Sequence, residues 1–527
     1  MNLKKLVSVL TSKTAFVAYL ILLQLLFLLS VVSILSAYSR FINQILNLLS
    51  IVMVIYIMNK DENPSYKLAW IVVIMLVPIF GGLLYLLFGG QKVPKALMRR
   101  DHESQLNVHR IISQDKQIMQ EIRDQDENAY KQANYLWKNA DFPVYKRTQT
   151  TFLPSGEVKF ERLVEELKKA KKFIFLEYFI IEEGIMWNTI LDVLVEKVKQ
   201  GVDVRLMYDD AGCIPKLDPD YYKTIQALGI KCKVFNPIQA KLAIQMNNRD
   251  HRKIVVIDGL VGVTGGINLA DEYMNAKTVY GHWKDCSIMI RGEAVWNFTL
   301  MFLQFWNYDE KVCDDYLLYK ADAHAFDDLS DDGYVQPFSD SPTDDEHVGE
   351  NIHISLVNAA NRYIFIQTPY LVLDNEMKTS LELAAKCGVD VRIMVPHIPD
   401  KKFVFEVTRA NYRSLLKNGV KIYEYTPGFV HAKTMVTDDK LAVIGTINLD
   451  FRSYYLHYEC GVWMYESRAV MDLKADYLKT LEKCEEITYE KYMKSNILRR
   501  AYRSILSLFS PLLYRRLKNE RKNRFNL

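Results

Sequence analysis

The sequence predicts an α/β protein: two tandem α/β/α sandwich domains related by a pseudo-twofold axis, preceded by N-terminal transmembrane helices. Three observations predict it. Four segments recur in one order at offsets of 180 to 190 residues. Within each copy, short apolar β-rich runs alternate with helical stretches. Ahead of both copies lie three long runs without a charge.

Those runs, residues 14–39, 41–59 and 68–91, are bounded by Lys13, Arg40, Lys60, Lys67 and Lys92. A span needs about 20 apolar residues, so each qualifies by length, and residues 1–100 read as a multi-pass membrane anchor. Lysines and arginines flank both ends of the set, which favours an even number of crossings. Pro78, Gly81 and Gly82 mark the third run as kinked or re-entrant. Residues 101–141 are polar and read as a connecting helix.

The duplication organises the remainder into a first domain, 142–320, and a second, 348–486. "KKFIFLEYF" (171–179) returns as "NRYIFIQTP" (361–369), "GVDVRLMYDD" (201–210) as "GVDVRIMVPH" (388–397), and "GIKCKVFNP" (229–237) as "GVKIYEYTP" (419–427). Runs such as "FIFL" suit strands buried on both faces. Phe160, Leu163, Val164 and Leu167 share a helix face. Residues 321–347 read as an acidic linker, because 321–346 hold nine acids and no Lys or Arg.

Seven dispersed cysteines without a C-x-x-C read as reduced thiols. The 527-residue chain has a net charge of +4, yet residues 491–527 hold eleven Lys or Arg against Glu520. The tail, 487–527, reads as a basic amphipathic segment broken at Pro511. It suits either an anionic lipid surface or a helix packed on the second domain with its basic face in solvent.

The chemistry lies in the fourth repeat, "HRKIVVIDG" (251–259) and "HAKTMVTDD" (431–439). Asp258-Gly259 signals a two-residue hairpin turn. Strand alternation then places His251 and Lys253 on one face, with Lys253 opposite Thr264, His251 opposite Gly266, and Asn268 beyond. The second copy supplies His431, Lys433, Thr446 opposite His431, and Asn448. Gly266 leaves room for substrate, and Gly266, Thr446, Asn268 and Asn448 are phosphate-binding candidates. Two such faces around one axis would surround a tetrahedral phosphate. One imidazole would attack phosphorus while the other exchanges protons with the alcohols. Lys253 and Lys433 would neutralise the oxygens without a metal or cofactor. Each histidine needs an orienting carboxylate. Asp285, 34 residues after His251, and Glu459, 28 after His431, are the candidates. Asp258 and Asp438 complete the motif, but their place at the far turn makes them structural anchors.

Extended to "HRKIVVIDGLVGVTGGINLAD" and "HAKTMVTDDKLAVIGTINLDFRS", these segments resemble the duplicated HKD motifs of the phospholipase D superfamily. With "NPSYKLAW", "LLYLLFGG", "LEYFI", "TPYLV" and "LFSPLL", nearly the whole chain resembles the bacterial cardiolipin synthases. The resemblance implies two phospholipase D-like domains with the site between them, anchored in the bacterial cytoplasmic membrane. It implies catalytic roles for His251, Lys253, Asp258, His431, Lys433 and Asp438, and phosphatidylglycerol and anionic membrane lipid as partners, with no nucleic acid. The implied reaction passes a phosphatidyl group from one phosphatidylglycerol to another. A hydrolase releasing phosphatidic acid is the alternative, and a catalytically dead scaffold runs against two intact motifs. His457 stands where that pattern leads one to expect Asn.

Overall fold

The computed structural model describes residues 40–60, 62–89, 104–237, 248–308, 310, 313–330, 332–344 and 346–513, with Leu26, Ser30, Val31, Ser33 and Ile34. These fall into two units, one drawn from residues 40–89 and 504–513, the other from 104–237 and 248–503.

In the first unit, helices run over Arg40–Met58, Pro64–Leu76 and Pro78–Phe88. The third apolar run is thus two helices. Val77 leaves the helical conformation (φ −132°, ψ 66°) because Pro78 disfavours it at the residue before. Asn63 caps the first of the pair by accepting from Ser65 N–H. Arg40–Met58 begins with Arg40, Asn43, Gln44 and Asn47, which shortens its apolar part. Among the described residues no helix is long and apolar enough to cross a membrane, so the expected membrane-spanning helices are not seen there. The run 14–39 lies almost wholly outside the described residues. Ile57, Tyr66, Trp70, Ile74 and Tyr85 form a small core, while Phe41, Leu48, Met75 and Leu76 are exposed.

The second unit carries the duplication. Its first sheet comprises β1 (Thr148–Leu153), β2 (Phe173–Tyr178), β3 (Asp203–Asp209), β4 (Lys231–Phe235), β5 (Ile254–Ile257), β6 (Val261–Gly265) and β7 (Ser287–Gly292). Their order is β1-β7-β6-β5-β2-β3-β4. The second comprises β8 (Tyr334–Asp340), β9 (Tyr363–Gln367), β10 (Asp390–Pro396), β11 (Lys421–Tyr425), β12 (Thr434–Thr437), β13 (Leu441–Gly445), β14 (His457–Tyr465) and β15 (Cys484–Ile487). It repeats the order as β8-β14-β13-β12-β9-β10-β11, with β15 added at the edge. Strands β2 and β9 are buried along their whole length, as their unbroken apolar runs require.

The first sheet packs helices Gly156–Lys169 and Ile185–Lys199 on its outer face through Leu163, Leu167, Trp187 and Ile190. A shared core that includes Phe175, Phe298, Phe302, Ile444, Val462 and Tyr477 joins the two halves. It also takes in helices Val295–Trp306 and Arg468–Leu481.

Several expectations are corrected here. Beyond a short helix over 104–109, the described part of residues 101–141 holds helices Lys116–Gln125 and Glu127–Ala140, divided at Asp126, which caps the second. They join the second half's core through Ile122, Ala133 and Leu136. The acidic linker contains β8, where Pro337 is tolerated because an edge strand has one unpaired side. Pro511 does not break the tail helix, Ile497–Leu513. The Ser507 carbonyl that a residue at 511 would bond instead accepts from Ser510 Oγ at 2.7 Å.

The hairpins are slipped by one residue from the expected register. Leu260 N–H returns to Ile257 C=O, but the ladder pairs Ile257 with Val261 and Val255 with Val263. Continued, it sets Lys253 opposite Gly265 and not opposite Thr264. The second copy pairs Met435 with Val443, and Lys433 C=O accepts from Gly445 N–H. Asp258 and Asp438 hold the far turns. Asp258 accepts from the backbone N–H groups of Lys171, Lys172 and Phe173 at 2.7–2.8 Å. Asp438 accepts from Asn361, Arg362 and Tyr363 at 2.6–2.9 Å.

These are charge-assisted bonds from backbone N–H groups that lead into β2 and β9. Asp258→Ala should therefore lower stability by about 2–4 kcal/mol, read as a lower thermal midpoint of the purified protein; an unchanged midpoint would contradict this anchoring role.

Candidate active site

The segment ahead of each motif leaves its own half. Arg249–Asp250 runs parallel to His457–Tyr458 of the second half, and His251 N–H donates to Tyr458 C=O at 2.9 Å. In return Gly428–Val430 runs parallel to His282–Lys284 of the first half, and His431 N–H donates to Lys284 C=O at 2.7 Å. Each histidine is thereby delivered beside the carboxylate of the other half.

His251 Nδ1 lies 2.9 and 3.0 Å from the two oxygens of Glu459, and His431 Nδ1 lies 2.7 Å from Asp285 Oδ2. The same-half assignment, Asp285 to His251 and Glu459 to His431, is corrected: the pairs are crossed. Both contacts put the proton on Nδ1 and leave the Nε2 lone pair unoccupied by any hydrogen bond of the described residues. Glu459 and Asp285 are fully buried, and both imidazoles nearly so.

Gly266 and Thr446 serve these carboxylates instead of lining a phosphate. A Cβ on Gly266 would stand 2.1 Å from Asp285 Oδ1. At the matching position Thr446 Oγ1 donates to Glu459 Oε2 at 2.6 Å. Cys286 N–H donates to Asp285 Oδ1 at 2.8 Å.

Lys253 and Lys433 are buried, each donating to the backbone carbonyl of its motif histidine. Lys433 Nζ also lies 2.9 Å from His431 Nδ1, a charge contact beside a proton already committed to Asp285. Burial pushes Lys253 down to about 8 and Lys433 to about 7, against the pull of Glu459 and Asp285. Burial pushes His431 down to about 4, helped by Lys433. His251 is held well below the usual imidazole value by burial and then by Lys253 and Lys433. Burial pushes Asp285 up, but His431 and Lys433 bring it below the usual carboxyl value. An enclosed site with two neutral imidazoles and two strained ammonium charges is built for an anion.

Each asparagine amide commits one Nδ2–H to the fold, which leaves its second Nδ2–H as a donor. Asn268 Oδ1 accepts from Ile180 N–H at 3.0 Å, and its Nδ2 donates to Tyr273 Oη at 2.8 Å. Asn448 Nδ2 donates to Ser453 Oγ at 3.1 Å. Asp258 and Asp438, implied as catalytic, are committed to the far turns.

Three features escape sequence reasoning. Lys159, on helix Gly156–Lys169, is buried with Nζ on Tyr178 Oη and Ile267 C=O, at 3.1 and 2.9 Å. Burial pushes it down to about 7, with Asp285 and Lys253 both within electrostatic reach; in "EVKFERL" it reads as a surface residue. Arg252 pairs with buried Glu177 at 2.6 Å and Asp250 at 3.2 Å and lies 3.6 Å over the Phe305 ring. The second half replaces Arg252 by Ala432, so the surroundings of the two histidines differ: His431 meets the rings of Tyr273, Trp283 and Phe429, His251 those of Phe179 and His457.

The duplicated fold is shared with phosphatidylserine synthase of Haemophilus influenzae, which aligns with a TM-score of 0.54 and 16% identity, over 74% of this chain and 99% of that one. The family model described as "Cardiolipin synthase, PLD-like domain" matches residues 163–280 and 353–481, and one described as "Phospholipase_D-nuclease N-terminal" matches 45–90. The chain is 35% identical over 471 residues to a cardiolipin synthase of Geobacillus sp., covering 86% of this chain and 90% of the relative. It is 33% identical over 466 residues to that of Alkalihalophilus pseudofirmus, covering 87% and 91%. An uncharacterised protein of Streptococcus mutans is 44% identical over 464 residues, 87% of this chain and 99% of that one. The chain belongs to the bacterial cardiolipin synthase family of the phospholipase D superfamily.

Gly266→Ala should push Asp285 off His431 and lower turnover roughly tenfold or more, measured by steady-state assay on protein with a near-normal thermal midpoint; full activity would contradict the role given to Gly266.

Proposed function

We propose that the two crossed pairs carry one phosphatidyl group from the glycerol headgroup of one lipid to the hydroxyl of a second. The enzyme is a phosphatidyltransferase of the cardiolipin synthase family, and phosphatidylglycerol is the donor and acceptor in this reading. One imidazole Nε2 attacks phosphorus. A P–N bond forms, the P–O bond to glycerol breaks, and the second imidazole passes a proton to the departing alkoxide, releasing glycerol. The hydroxyl of a second phosphatidylglycerol then gives its proton to that imidazole while its oxygen attacks phosphorus and the P–N bond breaks. The observation that carries this reading is the paired geometry: two Nε2 atoms with unoccupied lone pairs, each ring set by a carboxylate on Nδ1.

The electrostatics fit the same reading. Lys253 and Lys433 offset the charge that develops on the phosphoryl oxygens. Both histidines are neutral in the free enzyme, which suits the nucleophile. The diester's negative charge, once bound, offsets the lysines and lets the second imidazole take up a proton.

The first unit seats the enzyme at the cytoplasmic membrane in this account. Exposed Phe41, Leu48, Ile55, Met75 and Leu76 suit lipid contact. The tail helix agrees, with Ile497, Leu498, Tyr502 and Ile505 exposed beside Arg499 and Arg500. Insertion of helix Arg40–Met58 and the pair that follows it is part of this proposal.

Purified protein given phosphatidylglycerol in mixed micelles with a chelator should release cardiolipin and glycerol in equal amounts. Phosphatidic acid would instead mark a hydrolase, and absence of product would refute this reading. His251→Ala and His431→Ala should each lower turnover by at least about a thousandfold without loss of folding; substantial activity in both would overturn the two-imidazole mechanism. As pH rises through about 7 to 8, Lys433 and then Lys253 lose their charge. On the acidic side the neutral imidazole needed for attack is lost. kcat/KM should therefore fall on the alkaline side well below the pH at which an exposed lysine titrates, and a profile flat to pH 9 would contradict it.

A further inference from the structure

His457 stands two residues before Glu459 on β14, in the place where the family resemblance leads one to expect Asn. It is buried, 7% exposed, and its ring centroid lies 5.4 Å from that of His251. Arg452, from the short helix Phe451–Tyr455, donates through Nε to His457 Nε2 at 2.8 Å. An imidazole that accepts on Nε2 carries its proton on Nδ1. That Nδ1 makes no hydrogen bond and stands 3.5 Å from Glu459 Oε1. Beyond Arg452, the ionisable groups that bear on it are Glu459 and His251. Lys253 and Lys433 bear in turn on His251.

His251, His457 and Glu459 gather as three groups that could ligate a metal. Arg452 already fills the Nε2 lone pair of His457 and leaves a proton on Nδ1, so the trio suits proton sharing and not a cation. Glu459 accepts hydrogen bonds from Nδ1–H of His251 and Oγ1–H of Thr446, and Nδ1–H of His457 faces it as a third donor at 3.5 Å, a longer charge–dipole contact. Among the described residues, Asp285 has His431 Nδ1–H and Cys286 N–H as hydrogen-bond donors. The extra imidazole belongs to the His251 side alone.

We propose that His457 is a positioning residue for the transfer reaction: fixed by Arg452, it orients Glu459 and spreads that carboxylate's charge, thereby setting how strongly Glu459 holds a proton on His251. The proposal rests on the two-imidazole reading above. With the third donor removed, Glu459 turns its charge more fully on His251. The imidazole then becomes easier to protonate and less well aligned.

The test compares full-length wild type, His457→Leu and His457→Asn in phosphatidylglycerol micelles across pH. Leucine removes the donor, whereas asparagine supplies an amide N–H of similar reach. H457L should lose roughly tenfold or more in kcat with KM changed less than about twofold. Its acidic limb of kcat/KM should move to higher pH, because His251 takes up a proton more readily. H457N should restore both the rate and the limb. An H457L enzyme with wild-type kcat and pH profile would overturn the proposal, as would an H457N enzyme with H457L's displaced limb. Should H457L not fold, His457→Gln takes its place, because its amide reaches the Nε2 position beside Arg452 and leaves the Nδ1 donor missing: a displaced limb supports the proposal and a wild-type limb overturns it. Failure of wild type itself to make cardiolipin would strike the underlying reading and is seen separately.

Discussion

The constraint on which the site depends is an exchange of short strands between the two halves. Arg249–Asp250 lies beside His457–Tyr458, and Gly428–Val430 beside His282–Lys284. Without that exchange each histidine would sit at a strand end with no carboxylate on Nδ1. With it, neither half holds a complete pair, and the chemistry is available only when both are assembled. The backbone bonds from His251 to Tyr458 and from His431 to Lys284 make the arrangement a matter of ladder register and not of side-chain reach alone. A shared apolar core that includes Phe298, Phe302, Val462 and Tyr477 holds the two sheets in that register.

Electrostatics follow from the same burial. Enclosing two lysines and two histidines disfavours their charged forms, and Glu459 and Asp285 offset part of that cost. A phosphodiester adds a further negative charge, so binding and protonation of the second imidazole are coupled in the proposed reaction. The halves are related but not equivalent. Arg252 with Glu177 and Asp250 lies under the first histidine, Ala432 takes the place of Arg252 in the second, and His457 has no counterpart beside Asp285.

Much of the fold was legible because a duplication is a long-range signal that survives in one sequence. The repeated order of "GVDVR", the Lys and His spacing and the Asp at each turn led to two like sheets and to hairpins. The legible part stops where contacts join segments far apart. Nothing in the spacing says that Glu459 crosses to His251, since the same-half partner lies closer in the chain. The one-residue slip was hidden because Asp258-Gly259 does form the expected turn while Leu260 stays out of the ladder. Gly266 was read as space for substrate, and the space belongs to Asp285. Pro337 and the acids around it read as linker, although proline is compatible with an edge strand. Pro78 was read as a kink and divides the third run into two short helices.

The central claim is that each histidine answers to the carboxylate of the other half. Its most direct test is NMR titration of the imidazoles in histidine-labelled protein carrying Glu459→Gln, with His251 and His431 assigned by substitution. The account predicts that His251 becomes markedly harder to protonate while His431 keeps its wild-type titration. A shift confined to His431 would contradict the crossed pairing and return each carboxylate to its own half.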